Sequence, residues 1–452
     1  MITNNVLVGK DGWLFLHQGG HNQFAYLLGE KIVEEESIDN FSNNIKNRVS
    51  FCKARKIQYK HIVFPSKPLI KRKFLPEKFN VIESLYEKSY LPSLSTESVE
   101  AVWYLKDFLK KEEETYSTFL KYDTHMTDRA NFSIASALAT FAGVSELNEN
   151  FYTSMFKVFR GDLSRLLDSE MLTSEETLKL NLKHPMIYEV GNREFLEGNS
   201  NEVFISHSFD ADNKLRLLIF GDSFFKDLLK FLKPYFKDIL FIRSSHIEND
   251  IVELYQPDII FTGNAERYFS EVTLDSSRKG FLCQLYGNPN YHPSLEYLEA
   301  LRANLSYKYN HNQYTSWLEN IKTIVNYSLS LNKYKLNKDI KSLTSENHLK
   351  FESIGRDPNI TYMHLDLKSK KRYLMTVNLI SSTETIFQLF YEDSREEIPM
   401  FSEEKSIKRA VFKGSNYLVI VLDFPFLGTQ LRVDPMNCLG EMEILNISLE
   451  EI

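Results

Sequence analysis

The chain has few cysteines and no long apolar run. Its 452 residues include three cysteines, Cys52, Cys283 and Cys438. They are far apart and show no paired spacing, so we expect neither a disulfide framework nor a zinc site. The first ten residues lack the basic start and apolar core of a signal peptide, and no stretch is apolar for long enough to span a membrane. As written, the sequence predicts a cytoplasmic protein with no transmembrane segment and no bound metal.

An excess of positive charge is missing as well. Lysine and arginine number 54 against 61 aspartates and glutamates, which gives a formal net charge of −7. Such a balance provides no general attraction to nucleic acid, so we expect no nucleic-acid partner. The densest basic cluster is Lys67, Lys71, Arg72 and Lys73, which fits either a solvated loop or a local anion site. A chain of this length is too long for one ordinary core, and two or three domains are expected.

The first part of the chain alternates between helix and strand patterns. Compact apolar runs of strand type occupy residues 59–64, 215–220, 238–242 and 258–262. Apolar residues recur at helical spacing over 224–236, and an Ala-rich helix is predicted over 128–141, closed by Gly143. This alternation predicts an α/β domain over residues 1–290, with a parallel sheet flanked by helices.

The rest of the chain changes pattern twice. Residues 145–204 are polar and poorly periodic, so we predict an insertion with one helix near 174–182. The pattern over 291–349 indicates a helical connector. From 350 to 452, short alternating runs separated by turn residues predict a β-sandwich. On pattern alone, this last domain is as well suited to a structural or oligomerisation role as to ligand binding.

Ser223 is the candidate nucleophile. The segment Gly221-Asp222-Ser223-Phe224-Phe225 follows a strand pattern and opens a helical one, so Ser223 is predicted on an exposed strand-to-helix turn. The amide of Ser223 and the start of the helix would both face a negative charge that develops on a bound carbonyl oxygen. A helix cap is the alternative interpretation of this common tripeptide.

Asp123 and His125 are the candidate acid–base partners of Ser223. Residues two apart on an extended segment point the same way, so Asp123 can hold the imidazole while its other nitrogen takes the serine proton. His125 is expected just ahead of a helix N-terminus, which disfavours the charged ring. Asn264 follows another predicted strand and is a second candidate oxyanion donor, although it could simply tolerate a left-handed turn. All three segments follow strand patterns, at the edge where an α/β sheet gathers its active site.

Several motifs also match a known family in order. They are Gly9-Lys10-Asp11-Gly12-Trp13-Leu14-Phe15-Leu16, then Tyr122-Asp123-Thr124-His125, Gly221-Asp222-Ser223-Phe224, and Pro257-Asp258-Ile259-Ile260 leading to Glu266-Arg267-Tyr268. This ordered set resembles the SGNH-hydrolase-like domain of the alginate O-acetyltransferases, over roughly the first 290 residues. The resemblance implies that Asp123, His125 and Ser223 form a catalytic triad. Met126 and Arg129-Ala130 depart from the family pattern, which bears on the shape of the acceptor groove.

The resemblance carries further expectations. It suggests Lys67, Arg267 and Tyr268 as substrate-binding candidates, and the C-terminal sandwich is similar to carbohydrate-binding modules. The implied activity is transfer of an acetyl group, through a serine acyl-enzyme, to hydroxyls of a bacterial surface polysaccharide such as capsule or lipopolysaccharide, or of its precursor. A cytoplasmic relative could use acetyl-CoA as donor. Two alternatives stay open, a carbohydrate O-acetyl esterase and a catalytically silent glycan-binding protein, and the oligomeric state is not indicated.

Overall fold

The chain divides into two compact units, Met1–Pro293 and Ser294–Ile452. The structure is a computed structural model, which describes residues 2–19, 21–79, 81–145, 147–180, 187–209, 211–322, 325–328, 334–343, 349–355, 357–363, 365, 367, 371–396 and 400–451. Within these ranges, no helix combines the length and the apolar character needed to cross a lipid bilayer.

A seven-stranded sheet forms the centre of the first unit. Its strands, in spatial order, are Val102–Tyr104, Gln58–Phe64, Ile259–Ala265, Arg216–Gly221, Asp238–Arg243, Val203–Ser208 and Ile187–Gly191. The first five run parallel, and the last two run antiparallel to their neighbours. All six residues of Arg216–Gly221 are buried, as expected for a strand covered on both faces. The sheet is therefore mixed, and the predicted parallel arrangement holds for its five neighbouring strands.

Helices cover the sheet, and two of them position the site. The helix Asp128–Phe141 has the predicted bounds, with Thr127 as its cap and Gly143 in the left-handed region at φ 74°. The helix Ser223–Leu232 buries Phe224, Phe225 and Leu228 in the main core of the unit. The other α-helices of this unit are Gln23–Leu27, Glu35–Ala54, Lys67–Ile70, Thr96–Ala101, Lys106–Glu112, Asp162–Leu166, Asn249–Tyr255 and Phe281–Tyr286.

The segment 145–204 differs from the prediction. The helix expected near 174–182 is wrong: Thr173–Leu180 is a strand that pairs antiparallel with Tyr152–Phe159, and residues 181–182 lie outside the described residues. Its glutamates and leucines suit a helix, but pairing along eight residues with a neighbouring strand overrides that weak preference. Ile187–Gly191 and part of Val203–Ser208 also come from this segment and extend the central sheet. A separate three-stranded sheet contains Ile2–Thr3, Val6–Val8 and Leu14–Leu16.

The second unit begins with two helices, Leu295–Leu305 and His311–Lys322, and continues as two antiparallel sheets. One sheet contains Ile340–Ser342, Leu349–Ser353, Gly440–Glu451, Tyr373–Ser381 and Gly414–Leu422, with Val325–Ser328 paired to Gly440–Glu451. The other contains Tyr334–Leu336, Ile360–Tyr362, Leu427–Asp434, Thr385–Asp393 and Ser406–Val411.

An apolar core that includes Phe351, Met375, Phe387 and Leu431 confirms the predicted C-terminal sandwich. The helical pattern expected over 291–349, however, ends at Lys322. Three strands between residues 325 and 342 belong to the sheets. Val325–Ser328 pairs with Gly440–Glu451 near the end of the chain, Tyr334–Leu336 pairs with Ile360–Tyr362, and Ile340–Ser342 pairs with the next strand, Leu349–Ser353.

Candidate active site

Ser223 lies on the expected turn between a strand and a helix. Strand Arg216–Gly221 ends two residues before it, and Ser223 is the first residue of helix Ser223–Leu232. The intervening Asp222 caps the helix by accepting a hydrogen bond from the Phe224 amide at 3.0 Å. A Cβ atom on Gly221 would lie 2.7 Å from the Phe225 side chain, so only glycine allows this tight approach. The turn leaves the Ser223 side chain half-buried at the carboxyl end of the central strands.

The imidazole of His125 bridges Ser223 and Asp123. Its Nε2 atom lies 3.0 Å from Ser223 Oγ, and its Nδ1 atom lies 2.7 Å from Asp123 Oδ1. Both distances are within hydrogen-bond range. With Nδ1 donating to the carboxylate, Nε2 is left as the acceptor for the serine proton. The structure thus brings together the three side chains that the sequence separates by 98 residues between His125 and Ser223.

Backbone amides fix the carboxylate of Asp123. The His125 amide donates to Asp123 Oδ1 at 2.9 Å, and the Asp162 amide donates to Asp123 Oδ2 at 2.8 Å. Burial would raise the pKa of Asp123, but its hydrogen bonds and the nearby imidazole outweigh burial and lower it. The carboxylate is therefore ionised at neutral pH, which is the form that can orient and stabilise an imidazolium.

The pKa of His125 moves opposite to the expected direction. His125 does lie just ahead of helix Asp128–Phe141, as predicted from sequence. Burial lowers its pKa, but the hydrogen bond to Asp123 and the surrounding carboxylates, Asp227 among them, raise it above 6.5. The carboxylates around the ring thus shift its pKa in the direction opposite to the one expected from the helix terminus alone.

Asn264 lies at the same end of the sheet as Ser223. The strands Arg216–Gly221 and Ile259–Ala265 are parallel neighbours with Gly221 opposite Gly263. Asn264, the next residue, therefore lies at the same edge of the sheet as the turn after Gly221. Asp222 links the two strands, since its Oδ2 atom accepts the Ala265 amide at 2.8 Å. The amide of Ser223, at the first position of its helix, has no acceptor within that helix. Both predicted oxyanion donors therefore lie at the carboxyl ends of two adjacent parallel strands.

The side chain of Lys67 is hydrogen-bonded to backbone carbonyls and does not face a ligand. Its side chain is buried, and burial lowers the pKa of Lys67 to about 7. The ammonium nitrogen donates to four carbonyl oxygens, those of Leu14 at 2.7 Å, Leu120 at 2.7 Å, Lys121 at 3.1 Å and Asp123 at 2.9 Å. An ammonium has three donors and a neutral amine has two, so in either form these carbonyls leave none for substrate. Lys67 supports the loop that carries Asp123 and His125.

Arg267 and Tyr268 lie beside the site. Both are half-buried in the 3₁₀ turn Glu266–Ser270 that directly follows the strand carrying Asn264. The guanidinium carbon of Arg267 lies 5.5 Å from the centre of the Phe224 ring and 5.0 Å from that of Tyr268. These positions, next to the residue that follows Ser223, keep both side chains as candidates for contact with substrate.

A polar cavity of about 380 Å³ adjoins the serine turn. Gly221, Asp222, Asn264 and Tyr268 contribute to its wall, as does His61, which is 1% exposed. Nδ1 of His61 lies 2.8 Å from the Thr262 hydroxyl, whereas its buried Nε2 atom has no hydrogen-bond partner in the part of the chain that the structure describes. The wall of this cavity thus brings polar side chains close to the turn that carries Ser223.

Sequence reasoning missed two acidic residues near His125. Asp227 lies one helical turn beyond Ser223, and burial raises the pKa of Asp227 to about 6. Asp162 comes from the segment interpreted as an insertion and contacts the Asp123-Thr124-His125 turn. A four-residue spacing from Ser223 could have indicated Asp227, but no pattern in the sequence connects Asp162 to position 123.

Asp123, His125 and Asp162 also form a cluster whose potential ligand atoms lie within 4.8 Å of one another. These groups already form hydrogen bonds. His125 Nδ1 bonds the Asp123 carboxylate, and both Asp162 carboxylate oxygens accept hydrogen bonds from Thr124. A cation here would have to displace those bonds. The prediction that no metal is bound stays a prediction.

A mixed α/β sheet with a serine on the strand-to-helix turn and histidine and aspartate beside it defines an SGNH-hydrolase-like protein. The model of one family, described as the SGNH hydrolase-like domain of acetyltransferase AlgX, matches residues 6–240. The chain belongs to this acetyltransferase family. The predicted family resemblance is confirmed, whereas among curated proteins none matches the sequence.

Solved structures with similar folds share little sequence with this chain. Bacillus cereus PatB1 with a sulfonyl adduct has 14% identity and a TM-score of 0.45, covering 61% of this chain and 98% of its own. A DHHW family protein from Eubacterium siraeum has 13% identity and a TM-score of 0.44, with 61% and 97% covered. Pseudomonas aeruginosa AlgX has 13% identity and a TM-score of 0.37, with 99% and 94% covered.

Proposed function

We propose that this protein is an O-acetyltransferase that works through an acyl-enzyme on Ser223. The observation that carries the proposal is the continuous contact from Asp123 through His125 to Ser223 Oγ, at 2.7 and 3.0 Å. Membership of an acetyltransferase family supports the same activity. Geometry of this kind is how serine acyl-transfer enzymes activate a hydroxyl.

The proposed first half-reaction makes the acyl-enzyme. Ser223 Oγ attacks the acetyl carbonyl of the donor while His125 Nε2 takes the hydroxyl proton. Asn264 and the Ser223 amide stabilise the oxyanion of the tetrahedral intermediate. When the intermediate collapses, the bond from the carbonyl carbon to the donor breaks, and His125 returns the proton to the departing group. Asp123 stays ionised throughout and stabilises the imidazolium.

The second half-reaction repeats these steps with an acceptor. A sugar hydroxyl gives its proton to His125 and attacks the acetyl-serine, and Ser223 then leaves with the proton restored. We assign the acceptor to a bacterial surface polysaccharide or its precursor. The polar cavity beside Ser223 and the half-buried Arg267 and Tyr268 are consistent with a hydroxyl-rich acceptor. The proposal includes acetyl-CoA as donor, a cytoplasmic location and a glycan-binding role for the second unit, and these three parts rest on sequence alone.

The test is to trap the intermediate and follow the acetyl group. Incubating the protein with acetyl-CoA or with a chromogenic acetyl ester should add one acetyl mass to the peptide that contains Ser223. Adding a candidate polysaccharide should then discharge that mass and produce an O-acetylated glycan. Release of free acetate at the same rate with and without glycan would favour an esterase, and no turnover of any acetyl donor would favour a silent glycan-binding protein.

A further inference from the structure

A second carboxylate lies against the turn that carries His125. Asp162 follows Gly161 at the start of the helix Asp162–Leu166, and its Oδ2 atom lies 3.8 Å from His125 Nδ1. The side chain of Asp162 is 37% exposed, and that of Asp123 is 13% exposed. A negative charge at this distance from the imidazole favours the imidazolium that forms during catalysis.

Asp162 also restrains the residue between Asp123 and His125. Its Oδ1 atom accepts the Thr124 amide at 2.8 Å, and its Oδ2 atom accepts the Thr124 hydroxyl at 2.5 Å. In return, the Asp162 amide donates to Asp123 Oδ2 at 2.8 Å. Two carboxylates from separate segments thus each hold the other segment's backbone.

The approach of the two backbones depends on Gly161. A Cβ atom on this residue would lie 2.1 Å from the carbonyl oxygen of Tyr122, which is closer than any real contact. Any residue other than glycine at position 161 would therefore force the backbone to move away from Tyr122. Such close packing is the condition under which a positioning residue can fix a base to within a fraction of an ångström.

We propose that Asp162 is a positioning residue of the Ser223 site, which fixes the Asp123-Thr124-His125 turn and adds a second negative charge beside the His125 imidazole. This inference rests on the proposed function, because it assigns a role in the same site. The carboxylates of Asp123, Asp162 and Asp227 all raise the pKa of His125, and the Lys67 side chain hydrogen-bonds the Asp123 carbonyl.

Replacing the carboxylate by an amide tests the charge. In Asp162→Asn the pKa of His125, followed by NMR titration of its ring proton, should fall by about one pH unit. The acid limb of the kcat/KM profile should move to lower pH by the same amount, because the base stays neutral at a lower pH. A purely structural role for Asp162 would change stability but leave both midpoints in place. Unchanged midpoints in a folded variant would overturn the proposal.

Two further variants separate charge from geometry. Asp162→Glu keeps the charge but moves it by one methylene, so turnover should fall while the His125 pKa stays within a few tenths of a unit. Asp168→Asn is the matched control, since it removes the same charge two residues beyond the end of that helix, at a side chain that is 98% exposed, and it should not move either midpoint. If Asp162→Asn does not fold, Thr124→Val decides, because it removes the hydroxyl that bonds Asp162 and lies 3.4 Å from His125 Nδ1, and it leaves both carboxylates in place. Turnover at the wild-type rate in Thr124→Val would then overturn the proposal.

The NMR titration does not depend on any substrate. A pKa of His125 that responds to Asp162→Asn in a protein without acetyl transfer would support the arrangement and reject the proposed function. The opposite result, full acetyl transfer with a His125 pKa that ignores Asp162, would reject the inference alone.

Discussion

The two units of the chain bury different kinds of polar groups. In the first unit, Arg48, Lys67, Lys71 and Arg216 are each less than 9% exposed. Among the described residues of the second unit, no lysine or arginine is buried to that degree, and its buried polar set consists mostly of hydroxyls and amides. Burying a cation is unfavourable unless hydrogen bonds or a carboxylate compensate for the lost water.

The first unit meets that condition by using its buried cations to hold loops. Lys67 binds four backbone carbonyls beside the candidate site, and Arg48 pairs with Asp275 and donates to the Ser245 carbonyl at 2.9 Å. The second unit is held mainly by apolar contacts between two sheets. In the first unit, buried cations therefore stabilise the conformation of loops, whereas the second unit depends mainly on its apolar core. Changes in the first should therefore alter chemistry, and changes in the second should alter stability or binding.

The sharpest test of this contrast is Ser223→Ala. Removing one oxygen from a half-buried turn should leave the fold intact and reduce acetyl-ester turnover by about 10⁶-fold, because no nucleophile remains. Steady-state assay and circular dichroism on the same sample measure both effects. Ser37→Ala, which removes a buried hydroxyl bonded to Tyr90 in the same unit, is the matched control and should keep its activity. Activity near wild type in Ser223→Ala would rule out the serine mechanism.

Asp123→Asn should have the next largest effect. The amide keeps the shape of the side chain but can present its NH₂ group to His125, which favours the wrong tautomer and lowers kcat by about 10⁴-fold. Single-turnover kinetics of acetyl-serine formation give this value directly. Loss of less than about tenfold would mean that Asp123 supports the loop without acting on the imidazole.

Asn264→Ala tests the proposed oxyanion hole. Losing one hydrogen-bond donor should lower kcat by roughly 10² to 10³-fold with little change in KM, because the contact strengthens in the transition state. Asn199→Ala, at another polar side chain of the same cavity wall, serves for comparison and should change KM rather than kcat. Equal kcat values for Asn264→Ala and wild type would leave the Ser223 amide and another group to form the hole.

Removing the second unit should have the smallest effect on chemistry. The cut belongs after Pro293, because Val325–Ser328 pairs with Gly440–Glu451 and a cut at residue 350 would divide that sheet. Turnover of a small acetyl ester should stay within about twofold, while transfer to a long glycan should fall by up to about 10²-fold as the second binding site is lost. If small-ester turnover is lost as well, the glycan-binding role of the second unit should be dropped.

Much of the architecture could be read from local pattern. The bounds of Asp128–Phe141 follow from apolar spacing closed by a glycine, and four of the seven central strands follow from compact apolar runs. The pattern failed at Thr173–Leu180, where the strand depends on a partner some twenty residues away. It also failed from Val325 onward, where the strand Val325–Ser328 pairs with Gly440–Glu451 near the end of the chain. Pairing energy between distant segments is not encoded in the periodicity of either one.

The sequence by itself indicated the three groups of the proposed triad. A serine on a strand-to-helix turn and an Asp-x-His segment can be recognised because short-range geometry fixes where such side chains point. The tertiary structure decided everything that depends on burial and on charges brought together from afar. It made Lys67 a support for backbone carbonyls instead of a substrate contact, raised the pKa of His125 when a helix end was expected to lower it, and placed Asp162 beside Thr124. Coulombic and desolvation energies depend on distances in space, and these exist only once the chain has folded.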